Sequence, residues 1–216
     1  MADVAPTRLV LIRHGESLAT VDRVVGGRKG DRGLSDAGVR QCLALRDRLS
    51  RSQELGHVAV VYASQLHRAV QTAELIAPAF GLAAGDIVKE AALCELDPGV
   101  GDGLSWEEFE RRYGLPDMRA DPYVRLAPGG ESLAEFQLRV GRALTAVADN
   151  HGGQTVVIAC HGGVIDTAMV IFLGLARFGT YTELSTANTS LNEWVLPGSG
   201  TGGWRLIRYN DTAHLR

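Results

Sequence analysis

Apolar residues recur along this chain in two rhythms. Short solid runs alternate with longer stretches in which apolar positions return every three or four residues. Leu9-Val10-Leu11-Ile12, Val58–Tyr62 and Thr155–Cys160 are solid runs, the signature of strands buried on both faces. Between them lie helical stripes. Ser35 stands as an N-cap with Asp36 in the first turn, and Val39, Cys42, Leu45 and Leu49 follow at helical spacing. Leu66, Ala69, Val70, Ala73, Ile76, Ala77 and Phe80 form a second stripe, which Gly81 stops. Leu133, Phe136, Val140, Leu144 and Val147 point inward from a long helix over Glu131–Asn150, and Val164, Ile165, Ala168, Met169 and Phe172 from a helix over Val164–Leu173. Ser190–Leu196 and Trp204–Tyr209 are late strands, joined as a hairpin across Pro197–Gly203.

This alternation predicts a three-layer α/β/α sandwich with a mostly parallel sheet. The segment Asp97–Gly130 breaks the rhythm with glycine, proline and charge, and carries one short helix, Trp106–Tyr113. It is expected to be a small helical cap or lid inserted in a single domain that spans residues 1–216. Within it, Trp106, Phe109 and Tyr113 sit at helical spacing and are assigned to cap packing.

Composition narrows the picture. A chain of 216 residues with 45% hydrophobic and 22% charged content suits one globular α/β domain. The formal net charge is −3, with neither a basic stripe nor a polybasic tail, which argues against a nucleic-acid or membrane partner. Cys42, Cys94 and Cys160 are far apart and odd in number, so neither a disulfide framework nor a zinc site is expected. The start lacks a basic segment followed by an apolar one, and a cytoplasmic location is expected.

The chemistry gathers at three strand exits. The first presents Arg13-His14-Gly15-Glu16, the second Ala63-Ser64 with Arg68 one turn into the next helix, and the third Cys160-His161-Gly162-Gly163. Open α/β sheets place their sites at the carboxyl ends of strands. Neighbouring parallel strands would bring two arginines and two histidines to one crevice. Arginine grips phosphate oxygens bidentately and stays charged. A neutral imidazole attacks phosphorus through one nitrogen while a backbone carbonyl holds the other as a donor. A second histidine can donate to phosphoryl oxygens as charge develops. Gly15 and Gly162 let the backbone approach a substrate closely. The leaving oxygen needs a proton, for which Glu95 is the first candidate, Asp97 its rival and Glu16 the third.

In order and spacing these segments resemble the histidine phosphatase superfamily, in its phosphoglycerate-mutase-like branch. The resemblance runs from Leu11-Ile12-Arg13-His14-Gly15-Glu16-Ser17 through Asp31–Gly38, Ala63–Ala73, Cys94-Glu95-Leu96 and Gly129–Ser132 to Ala159–Gly163. It implies a phosphohistidine on His14, no metal or other cofactor, Glu95 as acid and then base, and a phosphate pocket made by Arg13, Arg68 and His161. It also points to Ser17 and Thr20 as phosphate or substrate contacts. Thr20 departs from the usual asparagine, and the loop Arg23–Arg32 carries an apparent extra residue.

Glu95 and His161 lie 66 positions apart, which resembles the compact phosphatases more than the mutases. A phosphomonoesterase acting on a small phosphorylated metabolite is therefore expected. The rivals are a mutase-type isomerase and a non-catalytic phospholigand-binding protein; the latter would have lost a nucleophile, an arginine or the acid. His57, His67, His151 and His214 are assigned to surface or local roles and Cys160 to the core. A homodimer pairing through the late strands is compatible with the sequence. The cluster Arg23, Arg28, Lys29 and Arg32 suggests a contact to a second anionic group of the substrate. Replacing Arg28 and Lys29 by alanine should then raise KM more for bis-anionic than for simple phosphomonoesters, and equal effects would remove Arg28 from the substrate contacts.

Overall fold

The computed structural model describes residues 5–118, 120–175, 184–198 and 202–216. Along the chain run β1 (Thr7–Arg13), α1 (Leu18–Val21), α2 (Asp36–Ser52), β2 (Val58–Ser64), α3 (His67–Ile76), β3 (Val88–Glu90), α4 (Trp106–Tyr113), α5 (Leu133–Asn150), β4 (Thr155–Cys160), α6 (Gly162–Phe172), β5 (Leu191–Leu196) and β6 (Arg205–Asp211). The strands make one sheet in the order β3-β2-β4-β1-β5-β6. β1, β2 and β3 run parallel to their neighbours around β4, while β5 pairs antiparallel with β1 and β6 antiparallel with β5. The sheet is thus mostly parallel with an antiparallel hairpin at one edge. The turn expected across Pro197–Gly203 lies partly outside the described residues.

Alternation along β1 builds the three layers, because successive side chains point to opposite faces. Leu9 and Leu11 pack with Val156 and Ile158 against α5 and α6. Val10 and Ile12 pack with Val157 and Ala159 against α2 and α3. β1, β2 and β4 are therefore apolar on both faces, as the solid runs predicted.

Local chemistry sets the helix ends. Ser35 caps α2 by accepting from the Gly38 amide at 3.0 Å. α5 starts at Leu133, two residues later than expected, because Ser132 and Glu135 form a reciprocal capping box. The stripe ending at Phe80 is split: α3 stops at Ile76 and continues as a 3-10 turn over Ala77–Phe80, where Pro78 enters. α1 and β3 were not anticipated. They hold four and three residues, too few for a period to register.

Val25 packs with Phe109 and Ala127 in a third, small apolar layer, flanked by Leu104, Tyr113 and Leu126. Backbone bonds sew this layer to the loop after α1: Val25 N donates to Leu104 O at 2.8 Å, and Trp106 N to Arg23 O at 2.9 Å.

The first turn of α2 presses on the loop after β1. A Cβ on Gly38 would stand 2.1 Å from Glu16 O and 2.9 Å from Glu16 N. Helix propensity alone predicts that Gly38→Ala stabilises by about 1 kcal/mol. The collision with fixed backbone reverses that sign. We expect a net loss of about 2 kcal/mol, read as a fall in Tm of roughly 4–8 °C; a rise in Tm would show that this packing is loose.

Candidate active site

β1 ends where the chemistry begins. His14 extends the β1–β4 ladder by donating its amide to Cys160 O at 2.9 Å. From the other side, Thr189 N donates to Arg13 O at 2.9 Å and Asn188 Nδ2 to His14 O at 2.8 Å. The backbone at the nucleophile candidate is thus held from both flanks.

The ring is fixed as firmly. Nδ1 lies 2.7 Å from the carbonyl oxygen of Gly15, and Nε2 lies 3.1 Å from Nε of Arg68. A carbonyl oxygen can only accept and a guanidinium can only donate. Both contacts therefore demand the same tautomer, with the proton on Nδ1 and a lone pair on Nε2. Gly15 is itself placed by its amide, which donates to Thr72 Oγ1 at 3.1 Å. Thr72 in turn donates to Arg68 O at 2.7 Å.

Arg68 is buried in the first turn of α3. Its Nη1 donates to Gly26 O at 2.9 Å and pairs with Asp31 Oδ2 at 3.1 Å; the Asp31 side chain is 2% exposed. His161 lies between β4 and α6, fully buried, with its ring 5.1 Å from that of His14 and edge-on to it. Its Nε2 is 2.7 Å from Ser64 Oγ, and its Nδ1 is buried without a partner. Arg13 turns Nη1 toward the Thr186 carbonyl and leaves Nε buried and unpartnered. The two Glu95 carboxylate oxygens accept from the amides of Leu96 and Gly163, each at 3.1 Å. A Cβ on Gly163 would lie 2.3 Å from Glu95 Oε1, so glycine there makes room for the carboxylate.

A cavity of about 380 Å³ opens over this cluster. His14, Arg68, Glu95, Ser17 and Thr20 line it, together with Arg23, Pro98, Trp106 and Leu126. Ser17 caps α1, and its hydroxyl lies 3.0 Å from that of Thr20. Not every expected residue reaches this cavity. Arg13 and His161 sit behind it, and Arg28 lines a neighbouring cavity of about 690 Å³ that shares Glu95, Leu96 and Pro98. Gly162 lies at the start of α6 beside Arg13 Nε. Of the rival acids, Asp97 faces the neighbouring cavity and caps Gly99 N, and Glu16 accepts from Ser35 Oγ at 2.7 Å. Trp106, assigned to cap packing, faces the site. Sequence reasoning missed Ser64, Thr72, Asp31 and Asn188. Ser64, Thr72 and Asp31 stood inside recognised segments, while nothing local marks Asn188.

Among the described residues, no group of three or more His, Cys, Asp or Glu side chains is arranged to hold a metal ion, and no helix is long and apolar enough to cross a membrane. All three cysteines are buried thiols; burial pushes Cys42 up to about 11 and Cys160 higher still.

The sequence model described as "Histidine phosphatase superfamily (branch 1)" matches residues 9–212. The chain belongs to that superfamily. It is 32% identical to phosphoglycerate mutase-like protein 4 of Arabidopsis thaliana, over 99% of this chain and 89% of the relative. It is 36% identical to phosphoserine phosphatase 1 of Hydrogenobacter thermophilus, over 81% of each. Among solved structures, YhfR of Bacillus stearothermophilus superposes with a TM-score of 0.80 at 26% identity, covering 97% of this chain and all of that one. Against the longer bifunctional protein Rv2228c of Mycobacterium tuberculosis, 34% identical over 97% of this chain, it spans 55% of the relative's length. The protein is thus an enzyme of the histidine phosphatase class, with the α/β fold of that superfamily.

In this histidine phosphatase, burial pushes both site imidazoles well below the ordinary histidine value, and the Arg68 guanidinium pushes them further. His214 is held down to about 4, again chiefly by burial. A histidine that folds neutral contributes stability above its unfolded value, about 6.5, and loses it as pH falls beneath that value. Tm should therefore fall on acidification from about pH 7 to about pH 5. Replacing His14 and His161 together by glutamine should flatten much of that fall, with His214 retaining a remainder. An unchanged slope in the double variant would assign the acid sensitivity to other groups.

Proposed function

We propose that the protein hydrolyses a small phosphorylated metabolite through a phosphohistidine on His14 Nε2, with residues 1–216 acting as one catalytic domain and residues 97–130 as its lid. The single observation that carries this reading is the tautomer of His14, whose Nε2 lone pair is fixed by two partners of unambiguous polarity. In the free enzyme Arg68 Nε–H occupies that lone pair. An arriving phosphate dianion competes for the guanidinium, and the nucleophile is freed as the charge is bound.

The phosphoryl group is held by Arg68 and Arg13, with His161 donating from behind and the Ser17 and Thr20 hydroxyls on the cavity side. Two buried nitrogens without partners, Arg13 Nε and His161 Nδ1, support an anion here, because buried polar groups left unpaired are rare. His14 Nε2 attacks phosphorus, the bond to the leaving oxygen breaks, and Glu95 gives that oxygen a proton. Glu95 then takes a proton from water, whose oxygen attacks phosphorus; the P–N bond breaks and inorganic phosphate leaves. Gly162 keeps the backbone at α6 close to Arg13, and Arg28, across the shared wall, meets only the far end of a longer leaving group. A cavity of about 380 Å³ suits a metabolite, and the phosphoserine phosphatase relative supports a small phosphomonoester as substrate class.

The test is release of phosphate from p-nitrophenyl phosphate and from phosphoserine, with and without a chelator. Turnover should survive the chelator and fall by about a thousandfold or more in His14→Ala. Turnover lost to the chelator, or retained within tenfold in His14→Ala, would overturn the scheme; an isomeric ester formed without free phosphate would assign a mutase instead.

A further inference from the structure

His161 has one contact that decides its chemistry. The register that pairs Ala63 with Ala159 brings the end of β2 beside the end of β4, and there Ser64 Oγ lies 2.7 Å from His161 Nε2. Both residues are fully buried. A neutral imidazole carries one proton, so Nε2 either donates to Ser64 or accepts from it.

The surroundings of Ser64 choose. Its oxygen already accepts from Leu66 N at 3.1 Å. Its hydroxyl proton has two acceptors within reach, His161 Nε2 at 2.7 Å and Cys94 Sγ at 3.4 Å. Thiol sulfur accepts weakly and imidazole nitrogen strongly. The nearer and stronger acceptor takes the proton, Nε2 becomes the acceptor, and the ring proton is left on Nδ1. That nitrogen is buried and unpartnered, on a ring 5.1 Å from that of His14.

We infer that Ser64 is a positioning residue that locks His161 as the Nδ1–H tautomer, so that its free N–H serves the phosphoryl group on His14. The second half of this inference rests on the phosphohistidine reading; the tautomer itself does not. The alternative tautomer would bury a lone pair at Nδ1 and set it against anionic oxygens. A donor held in place before charge develops strengthens the transition state more than the bound ester. Loss of Ser64 should therefore appear in kcat more than in KM.

The decisive measurement is a long-range 1H–15N correlation spectrum of the 15N-labelled protein, with the His161 ring assigned by its loss in His161→Gln. The expected result is a proton on Nδ1 of His161. In Ser64→Ala the ring should become a mixture of tautomers, and kcat toward p-nitrophenyl phosphate should fall by about tenfold to a hundredfold with KM changed by less than about threefold. Ser64→Thr keeps the hydroxyl and should restore both. A proton on Nε2 in the unaltered protein overturns the inference whether or not the protein turns over substrate. A Ser64→Ala protein that keeps the Nδ1–H tautomer and full kcat overturns it as well.

Discussion

The imidazole of His14 is caught between a group that can only accept and a group that can only donate, and the site is organised around that constraint. The Gly15 carbonyl takes the proton of Nδ1, and Arg68 points an N–H at Nε2. Neither partner can reverse its role, so the ring has one tautomer and one orientation. Helix α3 supplies both arms of the brace. Arg68 reaches the ring directly, and Thr72, one turn later on the same face, holds the amide of Gly15 and thereby its carbonyl. Close contact between Gly15 and Gly38 keeps this loop against α2, where a Cβ at either position would strike backbone.

The electrostatics follow from placing cations beside buried neutral rings. Burial first, and then the Arg68 and Arg13 guanidiniums, hold His14 well below the ordinary histidine value, so the ring keeps its lone pair. The cost of burying Arg68 is offset by Asp31, which is itself buried and takes both the Arg68 guanidinium and the Arg68 amide. Positive charge is thus concentrated beside His14 although the chain carries a formal net charge of −3. The loop after α1 adds Arg23 to the wall of the cavity, where Trp106 of α4 also stands.

Much of this was legible in the chain. The solid apolar runs became β1, β2 and β4, and the exits of these strands do bring His14, Arg68 and His161 together. Other features were not legible, each for a physical reason. α1 and β3, of four and three residues, are too short for their period to repeat. Asn188 braces His14 from 174 positions away, through a strand pairing whose register no local pattern encodes. The orientation of Arg13 was also hidden: its guanidinium is turned to the Thr186 carbonyl, a backbone partner that has no side-chain signature. Arg28 read as part of one basic cluster, but Arg23 lines the cavity at His14 and Arg28 the next one. Ser64 stood in plain view within a recognised segment, yet its role needs the distance to His161, which only the sheet register supplies.

The central claim is that the Nε2 lone pair of His14 becomes a bond to phosphorus. Rapid quenching during turnover of a 32P-labelled phosphomonoester, followed by peptide mapping, tests it most directly. The account predicts an acid-labile, alkali-stable label on the peptide that contains His14, carried on Nε2. Steady turnover with no labelled protein, or a label on Nδ1 or on any other residue, would contradict it.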